Sequence, residues 1–139
     1  MINPDEFKIP TIGILTQPIS KKLPEQTGNQ YIMHCNYLYM NIGGSNSVAI
    51  PYDIEPEALY ALLDQINGVL LTGGNILMTA EHPYYLTTKR IYQYSIDKKD
   101  KHGEEFPILG TCQGFEVLAL LASQDDFTIM EEIKVMEGR

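Results

Sequence analysis

Gly110-Thr111-Cys112-Gln113-Gly114 places one cysteine between two glycines, each two residues away. The apolar pair Ile108-Leu109 precedes it, and residues 115–122 follow with the apolar spacing of a helix. A strand that turns sharply into a helix around Gly-x-Cys-x-Gly has the layout of a nucleophile elbow, whose turn lifts one side chain clear of the backbone. The flanking glycines remove Cβ atoms that would collide in so tight a turn. The helix then aims its free N–H groups and the positive end of its dipole at the sulfur, which favours negative charge there. The chemistry this arrangement can do is nucleophilic attack by a thiolate. The same glycine spacing also serves close packing, or a phosphate docked on a helix N-terminus, so the motif gains force only from its surroundings.

A thiolate that attacks an amide carbon creates an oxyanion, which needs hydrogen-bond donors aimed at it. The N–H of Gln113 is one candidate. Gly73-Gly74, a glycine turn after the apolar run Gly68-Val69-Leu70-Leu71, can supply another. Its plain alternative is a loop between a strand and a helix. Of the three histidines, His34 falls on an expected helix and His102 in a charged stretch, while His82 follows the Gly73-Gly74 turn. No spacing marks any of them as a general base.

These residues need a frame to hold them. Short apolar runs predict strands over residues 11–16, 47–51, 68–71 and 107–109. Amphipathic spacing and stop signals predict helices over 31–42, 56–66, 84–99 and 115–122, with Gly43-Gly44 ending the first and Pro56 opening the second. Residues 17–30, with two prolines and a glycine, read as a loop. Strands alternating with helices predict an α/β fold, a parallel sheet with helices on both faces, whose sites gather at the carboxyl ends of the strands. Both glycine turns lie at such ends. Residues 1–123 are expected to form the N-terminal part of one such domain, and 124–139 an atypical tail.

With 139 residues, 44% of them hydrophobic and 20% charged, the composition is that of a globular domain with a real core. A net charge of −8 argues against nucleic acid or an anionic membrane as partner. No apolar run reaches membrane-spanning length, and no secretory leader precedes the first strand. Two cysteines, Cys35 and Cys112, make neither a disulfide framework nor a metal site, and no cofactor is expected.

Three segments, taken in order, carry a resemblance. They are Pro10-Thr-Ile-Gly-Ile-Leu-Thr-Gln17, Ile66-Asn-Gly-Val-Leu-Leu-Thr-Gly-Gly74 and Phe106-Pro-Ile-Leu-Gly-Thr-Cys-Gln-Gly-Phe-Glu116. Across residues 8–123 the chain resembles the gamma-glutamyl hydrolases, a branch of the class I glutamine amidotransferase-like superfamily with a flavodoxin-like fold. The resemblance implies a cysteine omega-peptidase that removes γ-linked glutamate from folate polyglutamates through a thioester. It implies Cys112 as nucleophile, with Gly74 and Gln113 as oxyanion-hole residues. Tyr37 matches a tyrosine near the family's active site, and Glu116, with Gly73, is assigned to substrate binding. The family usually carries an apolar residue where this chain has Gln113.

The family's catalytic histidine and its acidic partner lie downstream of the nucleophile, in a Trp-His-Pro-Glu-like segment that this sequence lacks. The expectation is therefore a sheet cut short after four strands, with little hydrolysis by these 139 residues alone. An open sheet edge would suit a protein partner or a second copy. The alternative function is a non-catalytic binding or assembly subunit, and a redox-sensing cysteine on the same turn is a third possibility. The resemblance points to a lysosome, vacuole or secretion, whereas the absence of a leader fits the cytoplasm.

Overall fold

The computed structural model describes residues 8–19 and 28–130. Four strands form one parallel sheet: β1 (Thr11–Leu15), β4 (Asn46–Ile50), β5 (Gly68–Leu71) and β6 (Ile108–Gly110). Their order is β4-β1-β5-β6. The helices α1 (His34–Ile42), α2 (Pro56–Leu63), α3 (Pro83–His102) and α4 (Gln113–Ala122) connect or follow them.

The strand order fixes where a site can form. From β1 the chain crosses to β4 on one side; from β5 it crosses to β6 on the other. Right-handed crossovers then put α1 on one face and α2 and α3 on the opposite face. The reversal falls between β1 and β5, and the crevice at such a switch point is where open α/β sheets bind ligands. The residues just past these two strands are Thr16-Gln17 and Thr72-Gly73-Gly74.

The core forms between the sheet and α2, α3 and α4. Leu15, Ile50, Val69 and Leu71 from the strands meet Leu59, Leu63, Tyr84, Ile91, Val117 and Leu120 from the helices. β5 is buried at every position, as a continuous apolar strand in the middle of a parallel sheet must be. In α2 the expected apolar face is buried through Leu59 and Leu63; the helix stops at Leu63 rather than residue 66, and Ile66 is buried just beyond its end. Gly103, at φ +68, ends α3 in the left-handed conformation that suits glycine.

Three expectations need correction. Residues 17–30 are not simply a loop: β2 (Gln17–Pro18) pairs antiparallel with β3 (Gln30–Tyr31). Two-residue strands carry too little alternation to be read from sequence. Helix α1 begins at His34 rather than residue 31 and buries none of its residues, so Leu38 and Ile42 face outward. It packs mainly on the edge strand β4 and on β1 beside it, and its apolar side is left exposed. Helix α3 runs on to His102, three residues past the expected end at residue 99.

The start of the tail also has a place. Gln124 and Asp125 both adopt positive φ and turn the chain back onto α3. The Tyr85 hydroxyl donates to Asp125 at 2.6 Å, Lys89 pairs with the same carboxylate, and Phe127 packs on the Tyr85 ring. These two partners hold the Asp125 carboxyl below the usual carboxylate range. The rest of the tail, 131–139, lies outside the described residues.

Candidate active site

Cys112 occupies the turn between β6 and α4 with φ 52 and ψ −120, a backbone conformation that L-residues rarely adopt. The strain sits on the cysteine and not on its glycines. Those glycines serve closeness instead: a Cβ on Gly110 would lie 2.7 Å from the Gly114 carbonyl, and one on Gly114 would lie 2.3 Å from the Leu71 carbonyl oxygen. The turn is thereby pressed against the end of β5. Thr111 N–H also donates to the Leu71 carbonyl, at 3.0 Å.

Helix α4 begins at Gln113, immediately after the cysteine, two residues earlier than its apolar pattern predicts. The N–H groups of Gly114, Phe115 and Glu116 are taken up by the Thr111 and Cys112 carbonyls. The N–H of Gln113 has no partner among the described residues, and neither have those of Gly73 and Gly74. A Cβ on Gly73 would lie 3.0 Å from Cys112 Cβ and 3.5 Å from its Sγ, so the cysteine side chain rests directly on this backbone. The sulfur is exposed and free of any disulfide. An exposed thiol on a strained turn, beside unpaired backbone donors from two strand ends, can attack a carbonyl carbon and hold the resulting oxyanion.

Beside this turn opens a cleft of about 650 Å³, lined among others by Asn75, Ile76, Gln113, Glu116, Phe127 and Met130. Glu116 stands on its wall in the first turn of α4, where a carboxylate also complements the helix dipole. The tail thus builds part of the same cleft. Cys112 and Gly73 meet directly, with Gln113 and Gly74 next to them in the chain, and Glu116 stands a helical turn away on the wall of the cleft, which Cys112 itself does not line. Tyr37 lies apart: it stacks on His34 and lines a groove with Ile9, Asn41 and residues 44–47.

Two features escaped the sequence. Gln17 is only 2% exposed, and its Nε2 donates to the Thr72 carbonyl at 3.3 Å. Its Oε1, like the neighbouring Tyr84 hydroxyl, is buried without a well-formed hydrogen bond among the described residues. Burial pushes the Tyr84 hydroxyl up to about 12, and the nearby Gln17 amide opposes part of that shift. A polar residue just past a buried strand at the switch point was the available signal. The second feature is the Gln113 side chain. Its Nε2 donates to the Ile76 carbonyl at 2.7 Å, and its Oε1 accepts from the Ile76 N–H at 3.0 Å.

The histidines stay out of the Glu116 cleft. His102 ends α3 and His34 opens α1, both exposed. His82 caps α3, its Nδ1 accepting from the Tyr84 N–H at 3.1 Å, and it stacks on Tyr52. It borders a second, smaller cleft with Gln17, Tyr31 and Asn75. Partial burial lowers its pKa from the ordinary 6.5, so the neutral cap is favoured in the folded state. That contribution is complete above the ordinary value and is lost as the pH falls through the depressed one. Between pH 7 and 5 the chain is expected to lose more stability than His82→Asn, whose amide caps without titrating. Equal urea midpoints for both chains across that range would refute the assignment.

Comparison with known proteins gives a consistent answer. The Peptidase C26 family matches residues 10–125. Gamma-glutamyl hydrolase B of Dictyostelium discoideum is 36% identical over 115 residues, covering 83% of this chain and 33% of that protein. Gamma-glutamyl hydrolase of Homo sapiens is 35% identical over 119 residues, 86% of this chain and 37% of that protein. Gamma-glutamyl hydrolase 1 of Arabidopsis thaliana is 32% identical over 119 residues, 84% and 33%. The chain spans about a third of the length of these relatives.

Proposed function

Because this chain belongs to the Peptidase C26 family, we propose that it carries the acylation half of a gamma-glutamyl hydrolase, with Cys112 as nucleophile. The observation that carries the reading is the strained, exposed Cys112, resting on Gly73 beside unpaired backbone N–H groups. The Cys112 thiolate attacks the γ-carbonyl carbon of a γ-glutamyl amide and an S–C bond forms. The carbonyl π electrons move to oxygen, where the Gln113 N–H and those of the Gly73-Gly74 turn receive them. Collapse expels the amine and leaves a thioester, which water then cleaves. Folate polyglutamates are the proposed substrate class, with Glu116 on the wall of the substrate cleft. A lysosomal, vacuolar or secreted location, which the family resemblance implies, is proposed for it as well.

Expulsion of an amine needs a proton, and no histidine among the described residues lines the Glu116 cleft. An activated ester has no such need. The γ-p-nitrophenyl ester of N-acetylglutamate is expected to release about one equivalent of p-nitrophenolate in a burst, with slow turnover afterwards. Mass spectrometry should find the acyl group on Cys112 and not on Cys35, which is also exposed. Equal labelling of both cysteines, or none, would sink the proposal.

A second reading, a binding or assembly subunit, draws on one observation. β6 is an edge strand among the described residues, and Leu109 on it (46% exposed) and Phe115 on α4 (66%) lie bare. It expects a self-associated chain with an unreactive Cys112. Sedimentation analysis with the same ester assay separates the two.

A further inference from the structure

We infer that the Gln113 side chain is a positioning residue that sets the oxyanion donors of the Gly73-Gly74 turn against Cys112; this rests on the acylation reading above. Residues 72–79 form no helix or strand, so nothing in the fold's regular ladders fixes the turn that must receive the oxyanion. Two glutamine amides hold it instead. On the β5 side, Gln17 donates to Thr72, and its amide lies so close under Gly74 that a Cβ there would meet Gln17 Oε1 at 2.4 Å. On the far side, Gln113 grips Ile76 through both backbone groups, at 2.7 and 3.0 Å. Gln113 is 8% exposed, and the two bonds are partly buried in the wall of the cleft.

Gln113 also follows the nucleophile. Its backbone N–H is an oxyanion donor, and its side chain reaches the segment that carries the others. One residue therefore ties both donor sets into a single unit. A carboxamide suits this because it offers a donor and an acceptor at once to the two backbone groups of Ile76. Loss of the grip frees residues 73–76 to shift, and donor alignment governs how much an oxyanion is stabilised.

Two reagents separate positioning from general damage. Iodoacetamide alkylates Cys112 by displacement at a saturated carbon, with iodide leaving and no oxyanion formed. The N-acetylglutamate γ-p-nitrophenyl ester acylates it through an oxyanion: the S–C bond forms, the C–O bond breaks and p-nitrophenolate leaves. In the 139-residue chain, Gln113→Leu is expected to slow the burst about tenfold or more while alkylation stays within about twofold. Gln113→Glu gives the sharper signature. Its carboxylate accepts from Ile76 N–H but repels the Ile76 carbonyl, whereas its protonated form donates and accepts like the amide. The ratio of burst to alkylation rate should therefore recover in this variant as pH falls from 8 to 5, and stay flat in the natural chain.

A burst that survives both substitutions, or burst and alkylation falling together, overturns the inference alone. No burst from the natural chain overturns the acylation reading and the inference with it. Should Gln113→Leu fail to fold, the isosteric Gln113→Glu carries the test.

Discussion

Replacing Cys112 by glycine is expected to abolish acylation completely and, at the same time, to make the chain more stable. The cysteine holds φ 52 and ψ −120, which glycine adopts freely and an L side chain does not. Strain of this kind costs on the order of 1–3 kcal/mol. Glycine's greater freedom in the unfolded chain takes back about 0.5–1 kcal/mol. Little packing is lost, because the side chain is exposed. The net gain is about 1 kcal/mol, readable as a raised urea midpoint at unchanged slope. Cys112→Ser keeps the Cβ and its strain, and should stay within about 0.5 kcal/mol of the natural chain while losing the thiol chemistry. A glycine variant no more stable than the serine variant would show that the turn is relaxed.

Gly114→Ala carries the largest expected loss of stability. Its new Cβ would fall 2.3 Å from the Leu71 carbonyl oxygen, 2.7 Å from its carbon and 2.8 Å from its Cβ. These neighbours belong to the central strand β5 and cannot rotate away, so α4 must lift off the sheet. Alanine improves helix propensity by about 1 kcal/mol. Overpacking against a fixed backbone costs about 3 kcal/mol or more, so the clash wins. The burst should fall as well, since the Gln113 N–H rides on the displaced turn. Thermal and urea unfolding measure the first effect and the ester assay the second. A stabilised variant would mean that α4 lies farther from β5 than a Cβ at 2.3 Å from the Leu71 oxygen requires.

Much of this frame is legible in the residues themselves. β5 reads as a strand because four buried residues in a row leave no polar position to confuse the pattern. The Gly110–Gly114 turn reads as a close approach because only glycine at both ends admits it. Other parts hide for physical reasons. The partner of the Gln113 side chain is a backbone 37 positions away, and any residue but proline at 76 would present the same two groups. α1 carries apolar residues at helical spacing, yet an edge position leaves them unburied, which no periodicity records. Asp125 looks like one half of an acidic pair, whereas its φ of 65 and the Tyr85 hydroxyl make it the latch of the tail.

The β4-β1-β5-β6 order has a bearing on how the molecule assembles. The central pairing joins Ile12 to Gly68, so a long loop must close before the switch point exists at all. The elbow, in turn, is drawn tight only when β6 pairs with β5. Until then Cys112 is an ordinary thiol on a loose chain. Its selective acylation is thus a clock for the β5–β6 pairing: a stopped-flow mixture that reports ester cleavage during refolding should lag behind the gain of helix signal, by the time β6 takes to find its neighbour.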